Sequence, residues 1–311
     1  MNRPDVPISV LLCTRNRPDD LRRCVTSILG GRFGRFELLV LDQSDGEESA
    51  AFLESLADPR VRLIRTETRG LAKARNLAVL NAAAPIVAFT DDDCICDPGW
   101  IEAIVAEFDR HPDIDGLFGR VLPWGDRSAD GFFCHCLIAD SDERIVAEPV
   151  PPHRYLGHGN NMAFRVRLFR SIGLYNPEMG AGSRVRSGED TDLTYRALRA
   201  RRGIKYSPVP LVYHNKWNDL DAADRLDLGY VMGFVMVFGK FFLRGDRVAG
   251  RCLRERLGEL VRDLVETFRY RDWRKLRKTM LKFVYFSLGI PLAVYFRFRG
   301  DTAWRATATA R

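Results

Sequence analysis

The stretch that most restricts how this chain can fold is Pro85 to Asp93, an apolar run that closes on three consecutive aspartates. Pro85-Ile86-Val87-Ala88-Phe89 has strand length and no polar alternation, the pattern of a strand covered on both faces. Thr90 then leads into Asp91, Asp92 and Asp93. Three adjacent carboxylates at the end of a buried strand repel one another, and an unpaired buried charge is costly. The arrangement needs solvent or a cation, and a divalent metal carrying a phosphorylated ligand meets that need.

The chain around this stretch alternates strand and helix. Ile8 to Cys13 is a second apolar run. It is followed by the polar turn Thr14-Arg15-Asn16-Arg17 and a helix with Pro18, Asp19 and Asp20 in its first turn. A strand from Phe36 to Leu41 ends on Asp42-Gln43-Ser44, a helix covers Glu47 to Leu56, and a short strand covers Val61 to Ile64. Gly70 opens a helix to about Asn81, and Pro98 begins another through Phe108. Strands are expected again at Gly116–Leu122 and Tyr206–His214, with loop over Asp126–Pro152 and a helix beginning at Glu189. This alternation predicts a mostly parallel, three-layer α/β sheet. Thr14, Asp42 and Asp91 recur at the carboxyl ends of successive strands, the edge at which open α/β sheets bind ligands.

Charge and cysteine content narrow the classes. The 311 residues carry a formal net charge of +7, compatible with nucleic acid, an anionic membrane surface or a phosphorylated substrate. Seven cysteines without a regular framework point to a reducing cytosol, and Cys94-x-Cys96 and Cys134-x-Cys136 lack zinc-site spacing. Met1 to Pro7 offers no apolar signal core, which suggests a cytoplasmic protein.

Six ordered motifs carry a family resemblance. They are Ser9 to Pro18, Val40-Leu41-Asp42-Gln43-Ser44, Gly70 to Asn76, Thr90-Asp91-Asp92-Asp93, Gly159-Asn160-Asn161-Met162-Ala163-Phe164 and Gly188-Glu189-Asp190-Thr191-Asp192-Leu193. Together they resemble the family 2 glycosyltransferases of GT-A fold, bacterial non-processive type, over Ile8 to about Trp217. The resemblance implies transfer of a sugar from a nucleotide-diphosphate sugar, UDP favoured, to a hydroxyl-bearing glycan or lipid-linked acceptor. Thr14, Arg15, Asn16, Asp42, Gln43, Arg75, Asp91 and Asp92 would contact the nucleotide, with Asp42 accepting from the base. Asp91, Asp93 and His214 would hold Mg²⁺ or Mn²⁺, and which of the three aspartates touches the metal stays open. Asp190 would act as general base with inversion at the sugar carbon. His158, Asn160, Asn161, Glu189 and Trp217 would shape the sugar and acceptor pocket. The Gln-x-x-Arg-Trp signature of processive synthases is absent, which favours transfer of one or few sugars.

Composition shifts near Asn218, and the expected division is a catalytic domain over 1–218 and a helical region over 219–311. Leu228–Leu243 and Leu281–Phe298 are apolar and aromatic, and neither gives an uninterrupted run of spanning length. Arg251–Phe268 is amphipathic and Arg269–Lys282 strongly basic, which suits peripheral association with an anionic membrane, at the inner face of the plasma membrane. Two other readings compete. One is a sugar-nucleotide nucleotidyltransferase, disfavoured because the first turn lacks glycines. The other is a non-catalytic membrane or nucleic-acid binder driven by the basic C-terminal helices, with nucleic acid the weaker partner.

Overall fold

Continuous apolar strands require cover on both faces, and the chain supplies it with helices on each side of one sheet. The computed structural model describes residues 5–298; the first four residues of the leading segment and 299–311 of the C-terminal region lie outside the described residues. The first half runs β1 (Ile8–Thr14), α1 (Pro18–Leu29), β2 (Phe36–Asp42), α2 (Glu48–Ser55), β3 (Val61–Arg65), α3 (Leu71–Asn81), β4 (Ile86–Asp91), β5 (Cys94–Cys96), α4 (Trp100–Arg110) and β6 (Ile114–Pro123). There follow β7 (Phe133–Cys134), β8 (Arg144–Val146), α5 (Pro152–Tyr155), β9 (Asn161–Arg165), α6 (Val166–Ile172), α7 (Glu189–Arg199), β10 (Gly203–His214) and β11 (Trp217–Asn218). Three long helices close the chain: α8 (Leu220–Phe242), α9 (Arg247–Tyr270) and α10 (Trp273–Phe298).

The main sheet has the order β3-β2-β1-β4-β9-β6-β10-β5, with β8 added on β10. β1, β2, β3 and β4 pair in parallel, and antiparallel β9 sits between β4 and β6, so that β6 and β10 run in the sense of β4. The expected mostly parallel sheet is therefore present, with three opposed strands at β9, β5 and β8. Alternation along β1 sends Ile8, Val10 and Leu12 to one face with α1, α2 and α4, while Leu11 joins α3, α6 and α7 on the other. Each such aliphatic side chain contributes roughly 1.5–3 kcal/mol on burial.

Several boundaries differ from the sequence expectation. β1 and β2 each run one residue further, because Thr14 pairs with Asp42 at the end of the ladder. The residues after the aspartates form β5, antiparallel to β10, which buries Cys94 and Cys96. The segment expected as loop over Asp126–Pro152 contains β7 and β8, both too short to leave a periodic signal. The basic Arg269–Lys282 stretch and the apolar run after it belong to one helix, α10, apart from the first residues of that stretch. That helix is long and apolar enough, by length and composition alone, to cross a membrane, whereas no apolar run of that length was evident in the sequence. Pro291 lies inside it without ending it.

The three long helices pack on the α/β unit through a separate apolar cluster. It joins Met179, Val185 and Tyr195 to Met236, Val237, Phe238 and Phe241 of α8, with Ala249, Cys252 and Phe296 behind them. Asp219 and Asp246 cap α8 and α9 by accepting N–H bonds from their first turns, each cap contributing about 1 kcal/mol.

Candidate active site

The carboxyl ends of β1, β2 and β4 lie side by side, as the parallel register requires, and bring Thr14, Asp42 and Asp91 to one edge. The three aspartates escape mutual repulsion by fanning out to different partners. Asp91 Oδ1 accepts from Arg75 Nη2 at 3.0 Å. Asp92 accepts from Thr14 Oγ1 at 2.8 Å and from Arg17 Nη1 at 3.1 Å. Asp93 accepts from Arg17 Nη1 at 3.0 Å and lies 3.3 Å from His214 Nε2. Part of the cation that the sequence demanded is thus the protein's own. Arg17 was visible in the first motif but drew no role there; its signal was the unbalanced charge of the aspartates.

Burial raises the Asp92 carboxyl to about 7, the Asp93 and Asp91 charges working in the same direction against Arg17 and Thr14. Both Asp92 oxygens are occupied and the residue is buried, so it braces the turn rather than meeting a ligand directly. Burial also pushes Asp93 up, but His214 and Arg17 outweigh it and hold the carboxyl below its usual range. Burial disfavours a charged His214, yet its bonds to Asp93 and the Cys134 sulfur hold it up at about 10.

The fit of this cluster to a hard divalent ion can be tested from the imidazole. Nδ1 of His214 bonds the His135 carbonyl at 2.8 Å, which leaves Nε2 turned toward Asp93, where a cation would have to take the place of its proton. A carboxylate, that imidazole and the Cys94 thiol lie with ligand atoms within 4.8 Å of one another. Burial raises Cys94 well above the ordinary thiol range, so it stays protonated and contributes no thiolate. Asp93 and His214 form an O/N pair suited to Mg²⁺ or Mn²⁺, while the part-exposed Asp91 lies outside the group whose ligand atoms fall within 4.8 Å of one another.

Arg75 connects this edge to the loop entering α7. Its guanidinium is buried and donates to Asp91, to Glu189 Oε1 at 3.0 Å and to the Gly159 carbonyl at 3.1 Å. All three contacts are to protein groups. Glu189 is likewise buried, its Oε1 occupied by Arg75. Burial and the neighbouring Asp190 charge raise Glu189 to about 7. Asp190 itself is oriented by two N–H groups, from Gly159 at 2.9 Å and Thr191 at 2.6 Å. A Cβ at 159 would stand 3.0 Å from Arg75 Nη1 and 3.2 Å from Asp190 Oδ2, so both side chains would have to give by a few tenths of an ångström.

The remaining expected site residues divide. Asp42 is buried with Oδ1 accepting from Ser44 N–H, and its Oδ2 has no hydrogen-bond partner but lies 3.7 Å from Arg65 Nε in an ion pair. Asn160 donates to the Cys136 carbonyl and also keeps a buried, unpartnered oxygen. His158 is held neutral chiefly by burial and lies within electrostatic range of both Asp190 and His214. Arg15 is exposed beside Asp45 at 3.9 Å. Four others are spent elsewhere. Gln43 donates to the Thr68 and Gly70 carbonyls and ties down the approach to α3. Asn16 exchanges hydrogen bonds with Asp45 and so clasps two loops together. Asn161 accepts from Trp100 Nε1 and donates to the Arg120 and Pro210 carbonyls, all inside the fold. Trp217 gives its indole N–H to the Trp124 carbonyl. Tyr230 of α8, unmarked in the sequence, reaches Cys136 Sγ at 3.3 Å, and burial raises its phenol far above the usual range, with Cys136, Asp190 and Glu189 adding to the effect.

Residues 9–133 match the sequence model of Glycosyl transferase family 2. The fold of the chain is the GT-A fold, and over that segment it is similar to the family 2 glycosyltransferases. Among curated relatives, the pre-mycofactocin glycosyltransferase of Mycobacterium tuberculosis is 28% identical over 212 residues, covering 67% of this chain and 42% of that protein. The glucosyl-dolichyl phosphate glucuronosyltransferase of Haloferax volcanii is 27% identical over 179 residues, 56% of this chain and 57% of that one. The chain thus spans about half the length of these relatives. The succinoglycan biosynthesis protein ExoO of Rhizobium meliloti is 24% identical over 316 residues, covering 94% of this chain and 86% of that protein. Crystal structures of S. aureus TarS share the fold: one superposes with a TM-score of 0.56 at 17% identity, over 75% of this chain and 39% of that one.

Proposed function

We propose that the protein is an inverting, metal-dependent glycosyltransferase that moves a sugar from a UDP-sugar to the hydroxyl of a lipid-linked or surface-polysaccharide acceptor. The observation that carries this reading is the linkage Asp91–Arg75–Gly159–Asp190, which ties the aspartate edge, where Asp93 meets His214, to an oriented carboxylate. Asp42 would read the base through Oδ2, which lacks a hydrogen-bond partner beside Arg65, and Thr14 would place Asp92. Asp93, His214 and Asp91 would hold Mg²⁺ or Mn²⁺, which when bound neutralises the departing diphosphate. Asp190, fixed by two N–H groups, would take the acceptor hydroxyl proton as that oxygen attacks the sugar carbon from the face opposite the nucleotide. Asn160 and His158 would contact the sugar or acceptor.

UDP as carrier is supported by TarS, solved with UDP and with UDP-GlcNAc. A lipid-linked or polysaccharide acceptor is supported by the names of the Haloferax and Rhizobium relatives. Residues 1–218 would form the catalytic unit, and 219–311 the region that holds it on the cytoplasmic face of an anionic membrane. The test is nucleoside-diphosphate release from a panel of UDP-, GDP- and dTDP-sugars with and without Mn²⁺ after chelation. Metal-stimulated UDP release that is lost in Asp190→Asn is the expected result. Release of pyrophosphate from a nucleoside triphosphate, or full turnover in chelator, would overturn the reading.

A further inference from the structure

A second charged feature lies away from the nucleotide edge, where α5 meets α9. Arg154, Arg251, Arg254, Glu255, Gly258, Glu259 and Arg262 line an open groove of about 380 Å³, four guanidinium groups against two carboxylates. The carboxylates are already engaged: Arg154 pairs with Glu255 at 3.3 Å and also with Glu259, which Arg256 holds at 2.9 Å. Among the described residues, Arg251, Arg254 and Arg262 form no ion pair. Gly258 leaves the floor low, with the Arg262 guanidinium 3.5 Å from where a Cβ would stand.

The same helix carries an exposed apolar strip. Leu257, Val261, Val265 and Phe268 are 41%, 46%, 62% and 61% exposed, too open to belong to the core. At 3.6 residues per turn they fall on an arc adjoining Arg251, Arg254 and Arg262. The opposite face, with Ala249, Cys252, Leu260 and Thr267, is the one buried against the protein. A row of unpaired arginines beside an exposed aliphatic and aromatic ridge matches the boundary between lipid headgroup and acyl chain. Guanidinium suits phosphate oxygens because it offers paired donors.

We propose that the α5–α9 groove is a binding site for the phosphate headgroup of an anionic bilayer lipid, with the Leu257–Phe268 ridge seated in the acyl boundary beside it. This rests on the membrane association proposed above and specifies where it occurs. Because Arg154 belongs to α5, which shortly precedes Gly159 and Asn160 in the chain, lipid in the groove fixes how the acceptor-side loop meets the membrane.

Co-sedimentation of the full chain with phosphatidylglycerol-containing vesicles and with pure phosphatidylcholine vesicles tests the site. Wild type is expected to prefer the anionic vesicles. Arg251→Gln/Arg254→Gln/Arg262→Gln is expected to bind them on the order of a hundredfold more weakly, at about fivefold per basic side chain. Its melting temperature and donor turnover should be unchanged, which separates this site from the catalytic reading. Val261→Ser/Val265→Ser is expected to weaken binding to both vesicle types. Anionic-vesicle binding by the triple variant equal to wild type overturns the groove assignment and leaves membrane association standing. Absence of vesicle binding by wild type overturns both. Tight binding of inorganic phosphate that the triple variant loses, with vesicle binding intact, makes the groove a soluble-phosphate site and overturns the lipid assignment.

Discussion

Arg75→Met removes the guanidinium that bridges the two halves of the site while keeping a side chain that packs between Phe89 and Tyr175. Three interactions are lost, and their environments set their weights. Glu189 is 9% exposed and would be left as a buried, unpaired carboxylate, a loss of about 2–3 kcal/mol. Asp91 is 33% exposed, so water screens it and its share falls to about 1 kcal/mol. The Gly159 carbonyl bond is neutral at the acceptor and adds about 1 kcal/mol. The total, roughly 4 kcal/mol, lies within the ~3–5 kcal/mol typical of breaking a buried ion pair. At about 2 °C per kcal/mol, the lower end for larger domains, calorimetry should show a melting temperature about 8 °C lower. Arg75→Met/Glu189→Gln removes the stranded charge and should recover about half of the loss. A shift below about 2 °C, or no recovery in the double variant, would refute the weighting and with it the bridging role of Arg75.

Four further outcomes are expected. Asp190→Asn should lower transfer by about 10²–10⁴-fold while leaving the donor KM close to wild type, measured by UDP release at saturating acceptor; an equal loss of donor affinity would count against a base role. His214→Ala should raise the Mn²⁺ concentration for half-maximal turnover by at least about tenfold, and an unchanged metal titration would remove His214 from the set. Gly159→Ala should cost about 1 kcal/mol in denaturant unfolding, since its Cβ would push the Arg75 and Asp190 side chains off their hydrogen bonds. Glu189 has its folded pKa raised from 4.5 to about 7, so its stabilising contribution is present below pH 4.5 and fades as pH rises through 7. Glu189→Gln should accordingly flatten the fall in melting temperature between pH 5 and 7 attributable to this group, and an unchanged slope would contradict the buried environment.

Much of the sheet was legible because β1, β2 and β4 are predominantly apolar and end on polar residues at fixed positions, a local property of the sequence. The short strands β7 and β8 were not, since two or three residues carry no period. The candidate site shows the same division. Asp42, Asp93, Asp190 and His214 could be singled out by residue type and place at element ends. Glu189, Gln43, Asn16 and Asn161 carry equally polar side chains in the same motifs, but their hydrogen bonds go to partners as much as 114 residues away, as Glu189 does to Arg75. Arg17 and Tyr230 were overlooked for the converse reason: nothing local to either indicates the aspartates or Cys136 that they meet.

By itself the sequence determined that three carboxylates would end a buried strand, and that they would need positive charge. At that distance the repulsion is relieved by a cation, by solvent or by a proton. Only the tertiary structure decided where the charge comes from. Folding sends Asp91 to Arg75, Asp92 to Thr14 and Arg17, and Asp93 to Arg17 and His214, residues that are distant in the chain or had drawn no role in it. Direction is the physical reason: neighbouring side chains share a position in sequence, but which way each points depends on backbone angles that the surrounding strands and helices impose.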